Sequence, residues 1–177
     1  MITPDAPVLS MLKTALEMEE KGFKFYGKAM AECRNALGQN IFTMLQHDEQ
    51  LHIERIKSIF SQMLDLGVWT DDWKKFPTEP RDLGQVFRKL AAKYGAEINA
   101  NTTDLEAIDV GLDFEHKSVQ FYEAELARAT NAIEREFAKA MVKEEETHFA
   151  LLADMKLYYT DTESWFREHE NTGLDGA

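Results

Sequence analysis

Six side chains stand out in this sequence: Glu19, Glu49, His52, Glu115, Glu145 and His148. They fall into two sets of the same form. A single Glu is followed thirty residues later by Glu-x-x-His: Glu19 by Glu49 and His52, Glu115 by Glu145 and His148. The surroundings repeat too. LEMEEKGFKFY, residues 16–26, returns ninety-six residues later as LDFEHKSVQFY, with Tyr26 and Tyr122 each seven residues after the Glu. Residues three apart on a helix lie one turn apart on one face, so each Glu-x-x-His can present both side chains to one point. Four carboxylates and two imidazoles then converge. That is the donor set of dimetal carboxylate bundles: one Glu from each of two helices and Glu-x-x-His from each of the other two. Four carboxylates carry four negative charges and two divalent ions carry four positive ones, which offsets the desolvation of a buried cluster. A set without thiolate suits iron or manganese, and zinc is a possible substitute.

Such a centre needs four helices to hold it, and the hydropathy pattern contains four. Pro4 and Pro7 argue against a helix before about Val8. From there to about residue 34, Leu9, Leu12, Leu16, Phe23 and Met30 recur at helical spacing, with Glu19, Tyr26 and Cys33 on or beside the stripe and Glu17, Lys21, Lys24 and Lys28 opposite. Asn35 and Gly38 mark a turn. A second helix is predicted over about 40–66, with the stripe Phe42, Leu45, Glu49, His52, Ile56, Ile59 and Met63, ending at Gly67. A third is predicted over about 103–130, with Thr103 and Glu106 at its start and the stripe Leu105, Ile108, Leu112, Glu115, Val119, Tyr122 and Leu126. A fourth is predicted over about 131–159, through Phe137, Met141, Glu145, His148, Leu152, Met155 and Tyr159. The Glu and His residues interrupt these apolar seams, and ionisable groups placed there need partners.

Residues of about 67–102 read as a crossover, with Pro77 and Pro80 and a short helix over Leu83–Tyr94. A connection of this length is too long for a simple turn. It would carry the chain from one end of a bundle to the other, so that the helices it joins run parallel, or let the halves exchange between chains. Trp69, Trp73 and Phe76 are expected to pin it to the bundle or to a second subunit. Thr160-x-x-Glu163 would cap a short helix bearing Trp165 and Phe166 within a tail of about 160–177. The predicted fold is all-α, one domain over 1–177: a four-helix bundle of two helical hairpins joined by a long crossover, with short extra helices in the crossover and at the C-terminus.

Composition narrows the function. The net charge of −12 argues against nucleic acid and anionic membranes as partners and suits cations. Cys33 is the sole cysteine, which excludes an intrachain disulfide and an iron–sulfur cluster built on this chain alone. No apolar run reaches the ~18 residues of a membrane span. MITPDAPVLSMLK lacks the basic segment and apolar run of a signal peptide, so the expected location is cytoplasmic.

LEMEEKGFKFY with DEQLHIERI, and LDFEHKSVQFY with EEETHFALL, resemble the rubrerythrin branch of the ferritin-like superfamily over about residues 8–66 and 103–159. The resemblance implies a ferritin-like bundle with two iron ions held by Glu19, Glu49, His52, Glu115, Glu145 and His148. It implies an enzyme, a di-iron oxidoreductase, that reduces hydrogen peroxide or reacts with dioxygen. Two features depart from the family. Full-length rubrerythrins carry a rubredoxin domain with paired CxxC motifs, which are missing here, so electrons would come from a separate donor such as rubredoxin. Rubrerythrins also place a further Glu three residues after the third-helix ligand, where this chain has Ser118. Ferroxidase or iron-storage activity of the ferritin type is one alternative, and a metal-free helical interaction module is another. A homodimer is expected from the aromatic-rich crossover.

Other residues stand outside this ligand set. Tyr26 and Tyr122 are either core aromatics or hydroxyls that bond a ligand carboxylate across the bundle. His47, His116 and His169 read as off the core, and Cys33 as a small buried residue. Glu20, Asp48, Glu144 and Glu146 adjoin the ligands in sequence and are expected to point elsewhere, with a passing iron ion as one use for them.

Overall fold

The structure is a computed structural model that describes residues 6–78, 81–94 and 102–170. Among them every regular element is helical: α1 (Ala6–Glu32), α2 (Ala36–Leu66), a 3₁₀ turn (Asp71–Lys75), α3 (Leu83–Tyr94), α4 (Thr102–Arg128), α5 (Ala132–Thr160) and α6 (Thr162–Glu170). The predicted tail beyond residue 170 lies outside the described residues.

Local signals set the helix ends, in places not where the periodicity suggested. Helix α1 begins at Ala6, before the expected Val8. Pro7 fits the first turn because its missing N–H would have no partner there. Helix α2 begins at Ala36 rather than about residue 40, because the Asn35 side chain accepts from the Gly38 N–H and caps it. Gly38 is therefore not a turn residue; it is buried in the helix, tight against Cys33 and Tyr159. Gly67 ends α2 with φ of 68°, a left-handed conformation that glycine adopts without penalty. Asn131 starts α5 through a reciprocal capping box with Glu134. At the far end Asp161, not Thr160, accepts from the Ser164 N–H and starts α6.

Contacts fix the directions of the long helices. Along the α1/α2 pair, Gly22 meets Glu49, Gly27 meets Gln46 and Cys33 meets Gly38, so the two run antiparallel. Helices α4 and α5 pair likewise: Lys156 with Asp109, His116 with Phe149, Arg135 with Ala129. Across the hairpins, Tyr26 meets Glu115 while Tyr122 meets Glu19, which makes α1 and α4 antiparallel. Helices α2 and α4 are then parallel, and both hairpins lie within one chain. The connection between them must return along the length of the bundle. It is held there by Trp69 and Trp73, both buried against the chain's own helices with Phe137, Met141 and Ile56.

The core comes in two parts. One gathers Tyr26, Phe42, Leu45, Leu152, Met155 and Tyr158, closed by Phe87 of α3 and Trp165 of α6. The other gathers Leu12, Ile56, Ile59, Tyr122, Phe137 and Met141. A layer of buried charge lies between them: Glu19, Glu49, His52, Glu115, Glu145 and His148 are at most 2% exposed.

Candidate metal centre

The seam of α1 explains how this layer is reached. Its buried residues are Leu12, Ala15, Glu19, Gly22, Tyr26 and Ala29, while Leu9, Leu16, Phe23 and Met30 are only partly buried. Small residues let the neighbouring helix approach closely. A Cβ on Gly22 would come within 2.5 Å of a Glu49 carboxylate oxygen and 2.7 Å of the Phe114 ring. Glycine there is the space into which the Glu49 carboxylate fits.

The six ligand candidates form two overlapping quartets. Glu19, Glu49, His52 and Glu145 each offer an atom to one; Glu49, Glu115, Glu145 and His148 offer atoms to the other. Within each quartet those atoms lie within 4.8 Å of one another. Glu49 and Glu145 belong to both. Two carboxylates are thus common to both quartets, and each quartet adds one further Glu and one His.

Both imidazoles turn Nδ1 inward. His52 Nδ1 lies 3.1 Å from Glu19 Oε2 and 3.1 Å from Glu145 Oε1. His148 Nδ1 lies 3.5 Å from Glu145 and 3.8 Å from both Glu49 and Glu115. The outer nitrogens face carboxylates that the sequence reading had pointed elsewhere. His52 Nε2 is 2.9 Å from Glu144, and His148 Nε2 is 3.2 Å from Asp48. Each of these acids is in turn held by an arginine. Arg55 Nη1 reaches both Glu144 oxygens at 3.0 Å and donates through Nε to the Phe76 carbonyl at 2.7 Å. Arg81, from the crossover, donates to Asp48. An imidazole whose outer N–H is held by a carboxylate keeps its ring fixed and its inner nitrogen basic, the arrangement a metal ligand needs.

The tyrosines cross the bundle. Tyr26 on α1 donates to Glu115 on α4, and Tyr122 on α4 donates to Glu19 on α1. Each hydroxyl holds one oxygen of a carboxylate that belongs to a single quartet. Burial, then the adjacent Glu115 or Glu19, raises both phenol pKa values well above normal, so these groups are donors.

Most of the buried side-chain atoms that lack a partner belong to this cluster. Both oxygens of Glu49, both of Glu145, Oε2 of Glu115 and Nδ1 of His148 are buried without a hydrogen-bond partner. Glu145 Oε1 is near His52 Nδ1 without the alignment of a hydrogen bond. Orphaned buried polar atoms are rare because each costs about 1–3 kcal/mol. Six in one cluster, all acceptors when the carboxylates are ionised and Nδ1 is unprotonated, fit a multivalent cation.

Protonation tells the same story. Burial, then Glu19, Glu145 and Glu115, pushes Glu49 upward. Burial and Glu145 lift Glu115 to about 8. Burial opposes ionisation of Glu145 as well, but His52 and His148 outweigh it and hold that carboxyl low. Both imidazoles are raised despite burial, His52 chiefly by Glu145 and Glu19, His148 by Asp48 and Glu115. Glu144, bound by His52 and Arg55 against the cost of burial, falls to about 2. The cluster thus holds protons where it would otherwise hold metal charge.

A sequence signal for Asp48 and Glu144 existed. An acid directly precedes each Glu-x-x-His, as DEQLH and EEETH. Arg55 follows His52 by one turn, whereas nothing in the irregular stretch singles out Arg81. His47 and His116 are exposed, away from the cluster. His169 stacks on Trp165 with ring centroids 4.2 Å apart. Comparison with protein-family models, curated proteins and solved structures finds no match to this chain. No described helix is long and apolar enough to cross a membrane.

Proposed function

We propose that the chain is a ferritin-like four-helix bundle with a non-haem di-iron centre, and that it is an oxidoreductase acting on hydrogen peroxide or dioxygen. One observation carries the reading: six buried ligand atoms of one cluster lack hydrogen-bond partners, in two quartets that share Glu49 and Glu145. Nitrogen and carboxylate donors without thiolate suit iron. Bound iron would supply the change of oxidation state and the open positions for a small oxidant.

The chain's own groups have definable work around that chemistry. Glu49 and Glu145 would serve both ions, with Glu19 and His52 completing one site and Glu115 and His148 the other. Glu144 and Asp48 lie against the outer nitrogen of each imidazole, and by accepting an N–H there they would leave Nδ1 to a metal ion. Tyr26 and Tyr122 hold Glu115 and Glu19 in place. The two apolar clusters on either side exclude bulk water and strengthen the electrostatics between them.

Anaerobic loading with Fe(II), followed by stopped-flow mixing with hydrogen peroxide or with air-saturated buffer, tests this. Two irons per chain and faster oxidation by peroxide are expected, with iron uptake falling below two in Glu49→Ala and Glu145→Ala. Faster oxidation by dioxygen would move a ferroxidase role ahead. No uptake by the wild type would sink the metal reading.

A further inference from the structure

Ser118 is a buried polar residue that the ligand set does not use. It is 1% exposed, and its Oγ has no hydrogen-bond partner. It lies on α4 one turn beyond Glu115 and one turn before Tyr122, and both of these reach the cluster. In the repeated half its position is that of Gly22, three residues after Glu19. Gly22 packs directly against the Glu49 carboxylate. The register of α4 on α5, set by Asp109 with Lys156 and His116 with Phe149, brings Ser118 to about the level of Glu145.

The two faces of the centre therefore differ. On the α1 side, the space that a side chain at residue 22 would fill is taken by Glu49 and by the Phe114 ring, 2.7 and 2.8 Å from an added Cβ. On the α4 side there is a hydroxyl. Neither oxygen of Glu145 accepts from it, since both lack partners themselves. Metal ions would satisfy the carboxylates but give a hydroxyl proton no acceptor. A buried donor without an acceptor is costly, so the site calls for one more species that accepts a hydrogen bond.

We propose that Ser118 is a positioning residue: its hydroxyl donates to one compact anion, of azide or hydroperoxide size, bound on the α4 face of the metal pair. The inference rests on the dimetal reading above. It adds that the centre takes one such anion per metal pair, because the equivalent space at Gly22 on the α1 side is already filled by Glu49 and Phe114.

The test uses the full chain loaded with two cobalt(II) ions and titrated with azide, followed by the visible cobalt bands. Wild type should bind one azide. Ser118→Ala and Ser118→Gly should bind cobalt as wild type does, with azide Kd raised about tenfold, the scale of one hydrogen bond. Unchanged azide affinity in the variants overturns the proposal. So does a second azide per pair, no azide in the wild type, or parallel loss of cobalt and azide affinity in both variants. A wild type that takes up no cobalt overturns the dimetal reading itself, and this inference with it.

Discussion

Gly22 decides whether the centre can assemble. Its missing side chain is what allows Glu49 to enter the layer, and a Cβ 2.5 Å from a carboxylate oxygen is closer than real contacts come. Gly22→Ala should improve helix propensity and still destabilise the protein, by about 1–3 kcal/mol, because the clash is with a buried, constrained group. Metal stoichiometry measured on the purified variant should fall below two per chain, since Glu49 serves both positions. A variant with wild-type melting temperature and full metal content would show that Glu49 has room to move. The same residue illustrates a limit of reading apolar stripes. Large side chains at Leu9, Leu16, Phe23 and Met30 drew the eye, yet the buried line runs through Ala15, Gly22 and Ala29. Close approach requires small residues, and these carry little weight in a hydropathy pattern.

The crossover is the element whose role the pattern left open. Trp69 and Trp73 bury against the crossover's own chain while Phe76 is only partly buried, but its polar groups do more than pin it. The Phe76 carbonyl accepts from Arg55, and Arg81 donates to Asp48, so the segment braces the outer side of both imidazoles. Arg81 also lines a cavity of about 670 Å³ that reaches Asp48, Glu144 and His148. Arg81→Ala should weaken metal binding about tenfold, as loss of a group supporting a ligand does, and chiefly for the ion bound by His148. Competition with a chelator would read this as one metal lost early and one retained. Equal retention of both would place Arg81 outside the site's support. The helices and the six clustered side chains were legible because period and repeat are linear properties of a sequence. The crossover was legible in its length, its short helix over Leu83–Tyr94 and its anchoring tryptophans, but not in its polar contacts. Its contribution depends on where an irregular segment lands, which neither periodicity nor spacing encodes. Asp48 and Glu144 fall between these cases. Each sits beside its own helix's ligand in sequence, but its partner is the imidazole of the opposite hairpin, a pairing that exists only once the two hairpins meet.

At the scale of the whole molecule, a charged layer divides the core, so stability and any metal bound there must be linked. Without metal, the layer is kept tolerable by protons. Glu115 titrates near 8 instead of 4.5, Glu49 is raised for the same reasons, and both imidazoles are raised above 6.5. Every one of these groups binds its proton more tightly folded than unfolded. Their contribution is full below the unfolded values, about 4.5 for the carboxyls and 6.5 for the imidazoles, and is lost as pH rises through the folded values. Glu144 and Glu145 are shifted the other way, but their loss of stability comes at lower pH. Between about pH 5 and 8 the metal-free protein should therefore become steadily less stable as pH rises. Divalent metal requires the same protons to leave, so its affinity should increase over that window. Ligand binding to the folded state alone adds stability that grows with affinity. The two melting curves should then separate: chelator-treated protein losing Tm from pH 5.5 to 8, metal-loaded protein holding or gaining. Calorimetric titration at pH 7 in buffers of different ionisation enthalpy should record protons released on metal uptake. Parallel Tm profiles with and without metal, together with no proton release, would mean that the buried cluster is balanced by its own internal contacts rather than by a cation.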